Sequence, residues 1–298
     1  MRFLRKGGTG VKRRGRSIRP KKRLGQHFLH DPRHLRRIVD AADLQPEDVV
    51  LEIGPGTGTL TRYLLDRAGH VVAVEVDERL VQLLRETFGS SPKLTLVHGD
   101  ILSLDPGALI REAVGEAKPY KVVANLPYYI TSAIVRHLLE SDPRPQTLVL
   151  TVQKEVAQRM VARPPRMNLL AVSVQFYGEP RLVHTIPRGA FRPRPRVDSA
   201  VVRIDVLPEP RVSVPSPEAF FQVVRAGFGQ KRKQLRNALA AGLRLPPEEV
   251  ERMLQEVGID PKRRAETLSL EEWARLTWAW VRRKDGQDAP ARFDKKSA

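Results

Sequence analysis

Three observations predict an α/β fold in which a parallel sheet is covered on both faces and followed by a small all-helical domain. Short continuous apolar runs alternate with helix-spaced segments from about residue 35 to 160. The runs are apolar throughout rather than alternating, the pattern of strands buried on both faces. The texture then changes at Pro208, Pro210, Pro215 and Pro217, after which every apolar stripe has helical spacing.

Leu35, Ile38, Val39 and Ala42 form the first helical stripe. Val49–Ile53 reads as a strand, Gly54–Gly58 as punctuation, and Leu60, Tyr63 and Leu64 as the helix that follows. Val71–Val74 is a second strand, with Leu80, Val81, Leu83 and Leu84 in the next helix. Leu94–Val97, Lys121–Ala124 and Leu148–Val152 supply the third, fourth and fifth strands. Ala171–Tyr177, Arg181–Ile186 and Ser199–Leu207 carry strand character with less helix between them, which suggests an added antiparallel edge. Phe220, Phe221 and Val224 open a helix whose pattern Leu235, Ala238 and Leu239 continue; Val250–Val257 and Trp273–Trp280 supply two further stripes. The expected division is a basic disordered arm over 1–24, an α/β domain over 25–209, a helical domain over 210–285 and a polar tail over 286–298.

The 298 residues carry 52 Lys and Arg against 34 Asp and Glu, a net charge of +18, which points to a polyanionic partner, nucleic acid first. Eleven basic residues from Arg2 to Arg23 precede the first acid, Asp31, interleaved with Gly7, Gly8, Gly10 and Gly15. Such an arm can neutralise phosphates, solubilise the chain, or act as a transit peptide, although it lacks an amphipathic period. With no cysteine, disulfides and thiolate metal sites are excluded. His30 and His34 have i,i+4 spacing without the Glu of a zinc motif, so an exposed pair on one helix face is expected and no metal site. No apolar run is long enough to span a bilayer and no signal peptide is evident; a cytoplasmic monomer is the expectation.

Gly54-Pro55-Gly56-Thr57-Gly58 follows the first strand, where open α/β sheets bind ligands and glycine lets the backbone approach them. Glu75 ends the second strand about 20 residues later, the separation of an acid that holds ribose hydroxyls. Asp100 follows the third strand, placed to meet the exocyclic amine of a base. A nicotinamide dinucleotide is the rival ligand, but its GxGxxG fingerprint needs glycine where Thr59 stands; the GxGxG spacing suits S-adenosylmethionine better. Asn125-Leu126-Pro127-Tyr128 follows the fourth strand. An Asn amide oxygen and a neighbouring carbonyl can both accept from one exocyclic amine, proline stiffens the turn, and tyrosine offers a stacking face. The tetrapeptide is thus a holder for the N6 amine of an adenine, or else a plain strand-to-helix turn.

With those residues in view, the chain resembles the KsgA/RsmA family of ribosomal RNA adenine dimethyltransferases. The likeness runs through Lys22–Leu29, Gly54–Gly56, Asn125–Tyr128, Phe191–Val202, Lys231–Asn237 and Gly258–Pro261. It implies a Rossmann-like class I S-adenosylmethionine-dependent methyltransferase sheet, with the helical domain binding RNA. It also implies cofactor contacts from His27, Leu29, Gly54, Gly56, Glu75, Asp100 and Asn125. Position 27 is more often Asn in that family; a backbone contact there survives the change.

The implied substrate is a pair of adjacent adenines in a hairpin loop near the 3′ end of small-subunit (16S) ribosomal RNA, with a role in subunit biogenesis. The base must leave any stack, give its N6 hydrogens to Asn125 and to the carbonyl of Leu126, and stack on Tyr128 with Phe191 on its other face. Arg192, Arg194, Lys231, Arg232, Lys233 and Arg236 are expected on RNA phosphates. Neither a metal nor a strong base is required. A related family methylates large-subunit ribosomal RNA and confers macrolide resistance, and shares the Phe191-x-Pro-x-Pro pattern; a ribosome-assembly factor with incidental methylation is the other alternative.

Overall fold

Two apolar faces on one sheet organise the chain. In a computed structural model, which describes residues 21 and 24–284, short strand β1 (Phe28–Leu29) leads into α1 (Pro32–Ala42). Asp31 caps that helix through the backbone N–H of Arg33. Then β2 (Val49–Ile53), α2 (Thr59–Leu65), β3 (His70–Glu75), α3 (Glu78–Phe88), β4 (Leu94–His98) and α4 (Pro106–Val114) alternate. They continue into β5 (Tyr120–Asn125), α5 (Thr131–Leu139), β6 (Thr147–Gln153), α6 (Lys154–Met160) and α7 (Leu169–Tyr177). Strands β7 (Gly178–Ile186), β8 (Phe191–Arg192) and β9 (Ser199–Val206) complete the α/β part.

The seven-stranded sheet has the order β4-β3-β2-β5-β6-β9-β7. Pairs among β2 to β6 are parallel, whereas β9 runs antiparallel to both β6 and β7. The five expected parallel strands and the antiparallel edge are therefore present. Leu51, Val72, Val122 and Leu148 face one core, and Val50, Val71, Val123 and Val149 face the other against Ile38 and Leu64. Burial on both faces explains why these strands read as unbroken apolar runs. The strand order reverses at β2, which carries the first connection to one side and lets β5 return on the other. The carboxyl ends of β2, β3 and β5 thereby open a crevice between them.

The chain ends in α8 (Pro217–Phe228), α9 (Leu235–Leu243), α10 (Pro247–Glu256) and α11 (Leu270–Lys284). Phe176 of α7 stacks on Phe220 of α8 at 4.6 Å, and the first core continues from the sheet through this contact to Trp273. The expected arm and polar tail fall almost wholly outside the described residues.

Three sequence expectations need correction. Ala171–Tyr177 lies in helix α7, not a strand. Its residues are apolar on nearly every side and buried between sheet and helices, which erases any period, and Asn168 caps the turn by accepting from the N–H of Ala171. His30 and His34 do not share a helix face. His30 precedes the Asp31 cap and its N–H donates to the Ala190 carbonyl, while His34 stacks on His184 with ring centroids 5.5 Å apart. The apolar pattern from Phe220 to Leu239 is split between α8 and α9, with Lys231, Arg232 and Lys233 in the intervening turn.

Candidate active site

The crevice is a cleft lined by Gly54, Gly56, Glu75, Asp100, Asn125 and Tyr128, with residues 24–28 on one side. At Gly54, φ is +67° and a Cβ added to the residue would meet nothing within 4 Å, so the backbone there is bare toward the cleft. At Gly56, φ is +61° and a Cβ would come within 2.9 Å of the Phe28 ring; its absence lets the 24–29 segment close over the loop.

Glu75 is 5% exposed, its Oε2 accepting from the Gly56 N–H at 3.1 Å and its Oε1 from the Asp77 N–H at 2.9 Å. Burial raises its pKa, and those two amides pull it back. The carboxylate is thus clamped, and each oxygen keeps a lone pair for a hydroxyl donor. Half-exposed Val76 adds an apolar surface to the wall. Asp100 Oδ1 caps the short turn Ile101–Ser103 by accepting from the Leu102 N–H at 3.1 Å.

Lys21 and residues 24–29 form a strap across this cleft. Strand β1 pairs antiparallel with β8, setting Leu29 opposite Phe191. Lys21 Nζ and Gln26 Nε2 donate to the two oxygens of Asp77 at 3.0 and 3.1 Å. Asp77 is 1% exposed, caps α3 and also binds the Arg79 guanidinium at 2.7 Å. Hydrogen bonds from Arg79, then Lys21 and Gln26, hold its carboxyl well below the usual carboxylate range. Asp77, Gln26 and Val76 were not singled out from the sequence; only the acid two residues after Glu75 offered a signal, and it reads as an ordinary helix cap.

The tetrapeptide is held from three sides. Asn125 Nδ2 donates to the His27 carbonyl at 3.0 Å, which fixes the amide and leaves Oδ1 as the acceptor. The Leu126 N–H donates to the Thr151 carbonyl at 3.1 Å. Among the described residues, neither Asn125 Oδ1 nor the Leu126 carbonyl takes a hydrogen bond. Tyr128 shares a 2.7 Å hydrogen bond with the Ser199 hydroxyl and stacks on the His27 ring at 5.6 Å. His27 Nδ1 donates to the Pro193 carbonyl at 2.7 Å, since a carbonyl can only accept. Burial raises the Tyr128 pKa, keeping the phenol protonated.

Two residues expected in the site stand off its wall. Leu29 is 2% exposed in the second core, and only its carbonyl is engaged, by the Thr59 hydroxyl at 2.9 Å. Phe191 is 1% exposed in the same core and does not line the cleft, because its pairing with Leu29 turns the ring inward. The ring against Tyr128 is that of His27. Arg192, Arg194, Lys231, Arg232 and Lys233 are exposed and form no ion pair among the described residues, whereas Arg236 is bound to Glu251 at 2.7 Å. Among the described residues no group of three His, Cys, Asp or Glu could hold a metal, and no helix is long and apolar enough to cross a membrane.

A glycine loop, a clamped buried acid and paired free acceptors at the ends of the neighbouring strands β2, β3 and β5 are the arrangement of a Rossmann-like class I methyltransferase. The family model described as ribosomal RNA adenine dimethylase matches residues 18–279, and the chain belongs to that family. Relatives agree: ribosomal RNA small subunit methyltransferase A of Dehalococcoides mccartyi is 50% identical over 88% of this chain and 89% of its own. The protein of that name from Clostridium perfringens is 44% identical over 88% and 90%. Among solved structures, the 23S rRNA methyltransferase ErmE superposes with a TM-score of 0.66 at 32% identity, covering 85% of this chain and 98% of its own. A dimethyladenosine transferase from Plasmodium falciparum shares the fold with a TM-score of 0.71 at 23% identity, over 87% and 98%.

Proposed function

We propose that this chain transfers methyl groups from S-adenosylmethionine to N6 of two adjacent adenines in a hairpin loop near the 3′ end of small-subunit ribosomal RNA, giving N6,N6-dimethyladenosine. The observation that carries the reading is the pair of free acceptors, Asn125 Oδ1 and the Leu126 carbonyl, beside a stacking ring at the mouth of the glycine-lined cleft. Family membership supports the reaction. The 50% identity to small-subunit enzymes, against 32% to a 23S enzyme, supports the substrate.

The residues fit the cofactor: the bare backbone at Gly54 and the clamped Glu75 suit a nucleoside, and Val76 suits the face of its base. When bound, the cofactor would supply an electrophilic methyl group on a sulfonium, whose sulfur keeps the electrons of the broken S–CH3 bond and leaves as a neutral thioether. An adenine N6 is a poor nucleophile because its lone pair is delocalised into the ring. In the first transfer, donation of its two hydrogens to Asn125 Oδ1 and the Leu126 carbonyl favours a pyramidal nitrogen whose lone pair faces the methyl; in the second, the one remaining hydrogen is donated to one of these two oxygens. As the new N–C bond forms, the same oxygens stabilise the positive charge growing on nitrogen, which then loses a proton to water. Tyr128, fixed by Ser199 and His27, holds the base face, and such stacking contributes roughly 1–3 kcal/mol. The rest is positioning.

Exposed Arg192, Arg194, Lys231, Arg232 and Lys233 hold phosphate in this reading, with residues 210–285 as the RNA-binding domain and a cytoplasmic monomer acting on the assembling small subunit. The test is transfer of labelled methyl from S-adenosylmethionine to undermethylated small subunits and, in parallel, to large-subunit RNA, with nucleoside analysis of the product. N6,N6-dimethyladenosine in small-subunit RNA alone is expected. Label in large-subunit RNA alone would assign the chain to the resistance type, and label in neither would leave an assembly factor.

A further inference from the structure

A second cleft opens beside the first, at the junction of β6, α6 and the chain leading into β9. Gln153, Lys154, Glu155 and Gln158 line one side, and Arg188, Arg196, Val197 and Asp198 line the other. It borders the site directly: Ser199, which holds the Tyr128 hydroxyl, pairs with Gln153 across the sheet and follows Asp198.

Asp198 is the frame of this cleft. Its Oδ1 accepts from the Arg188 N–H at 2.9 Å, and its carbonyl accepts from the Lys154 N–H at 3.0 Å. Arg188 Nη1 in turn donates to the Arg196 carbonyl at 3.3 Å. Three cations from three separate segments are thus gathered around one backbone knot. All three side chains are exposed, and none forms an ion pair among the described residues. The three cations outnumber the two carboxylates of the cleft, Glu155 and Asp198, and none is paired with either; Asp198 accepts from the Arg188 backbone N–H instead, so the excess positive charge suits an anionic partner. Val197, 45% exposed on the same rim, adds an apolar surface of the kind a sugar or base can lie against. Arg192, Arg194 and Arg196 fill successive spacer positions of the segment Phe191-x-Pro-x-Pro-x-Val197, so the cationic edge continues from the second cleft toward the first.

We propose that Lys154, Arg188 and Arg196 form a seat for the phosphodiester of a nucleotide flanking the adenine that enters the cleft beside Tyr128. This rests on the RNA substrate proposed above. A base drawn out of its stack leaves its backbone at the mouth of the site, and the adjacent phosphate must be held for the base to stay in register. Neutralising it releases counterions, so the seat contributes to affinity and to its salt dependence.

The experiment uses the full chain with Arg188→Ala, Arg196→Ala, Arg196→Glu and Lys154→Ala. Lys118→Ala serves as the charge control, because Lys118 lies at the opposite, amino-terminal end of β5. Methyl transfer to undermethylated small subunits is measured over a salt series, with binding of S-adenosylmethionine as the check on folding. Each Ala variant is expected to raise KM roughly 3–10-fold and to lower the salt slope by about one phosphate contact. Arg196→Glu should raise KM further, with kcat within about twofold and cofactor binding unchanged. KM and salt slope indistinguishable from Lys118→Ala would overturn the proposal. So would an inhibition by inorganic phosphate that the variants relieve while KM for subunits stays constant, since that marks a site for a free anion. If the unsubstituted chain fails to methylate small subunits at all, the substrate reading fails instead.

Discussion

Replacing Asp77 with Ala should loosen the cofactor cleft without touching any group that faces it chemically. The carboxylate caps α3, and that loss alone costs about 0.5–2 kcal/mol. Its hydrogen bond from Gln26, a neutral donor to a buried charge, contributes about 1.5–3 kcal/mol. The pair with Lys21 adds less than about 1 kcal/mol, because that cation is a third exposed, and the pair with open-lying Arg79 is screened by solvent. The sum is about 2–6 kcal/mol, which at roughly 2–4 °C per kcal/mol for a chain of this size lowers the unfolding midpoint by about 4–24 °C. The Gln26 part bears on the strap, so the cofactor dissociation constant should rise about tenfold. Asp77→Asn, which keeps the shape and a capping oxygen, should lose less on both counts. The sign with pH follows from the depressed carboxyl: its contribution is present above the unfolded pKa and is lost as pH falls below about 4 through the folded value. Thermal unfolding and calorimetric titration with S-adenosylmethionine read both effects. A midpoint within 2 °C of the parent (roughly 1 kcal/mol or less) together with an unchanged dissociation constant would refute the latch.

Two further outcomes follow from the same geometry. Glu52 is fully buried with Oε2 unpartnered, and burial pushes its pKa up to about 8. The folded state therefore keeps a proton that the unfolded chain has released. Stability should fall by up to about 1.4 kcal/mol per pH unit as pH rises from near 4.5 toward 8. Glu52→Gln, neutral at every pH, should flatten that decline in denaturant titrations; an unchanged profile would mean that Glu52 is ionised when folded. His27→Ala keeps the carbonyl that Asn125 needs but removes the ring against Tyr128, a contact of about 0.5–1.5 kcal/mol. Single-turnover transfer should slow about two- to tenfold while cofactor affinity holds; loss of affinity with an unchanged rate would reverse the assignment.

The strand ends were legible in the sequence because topology leaves them little freedom. Once Val49–Ile53, Val71–Val74 and Lys121–Ala124 are parallel neighbours, Gly54, Glu75 and Asn125 must share one edge of the sheet. Contacts set by the returning chain were not legible. Lys21 and Gln26 lie more than fifty positions from Asp77 and meet it only because β1 pairs with β8 and draws the strap over the cleft. That pairing also buries Phe191, whose place in a motif suggested a stacking surface and whose neighbour on the strand made it core. Arg236 looked like part of a free basic run until α10 set Glu251 beside it. Ala171–Tyr177 misled for the opposite reason: a segment buried on every side carries no period to read.

The most direct test of the account is the single-turnover rate of Asn125→Ala with small subunits and S-adenosylmethionine both saturating. Removing one preorganised partner of a developing charge typically costs about 10²–10³ in rate. The lost hydrogen bond to the His27 carbonyl, worth about 0.5–1.5 kcal/mol, should weaken cofactor binding by no more than about tenfold. A rate reduced at least a hundredfold with binding largely kept is the predicted result. A rate within about threefold of the parent, well below the 10²–10³ loss expected for such a partner, would contradict the central role given to the Asn125 oxygen.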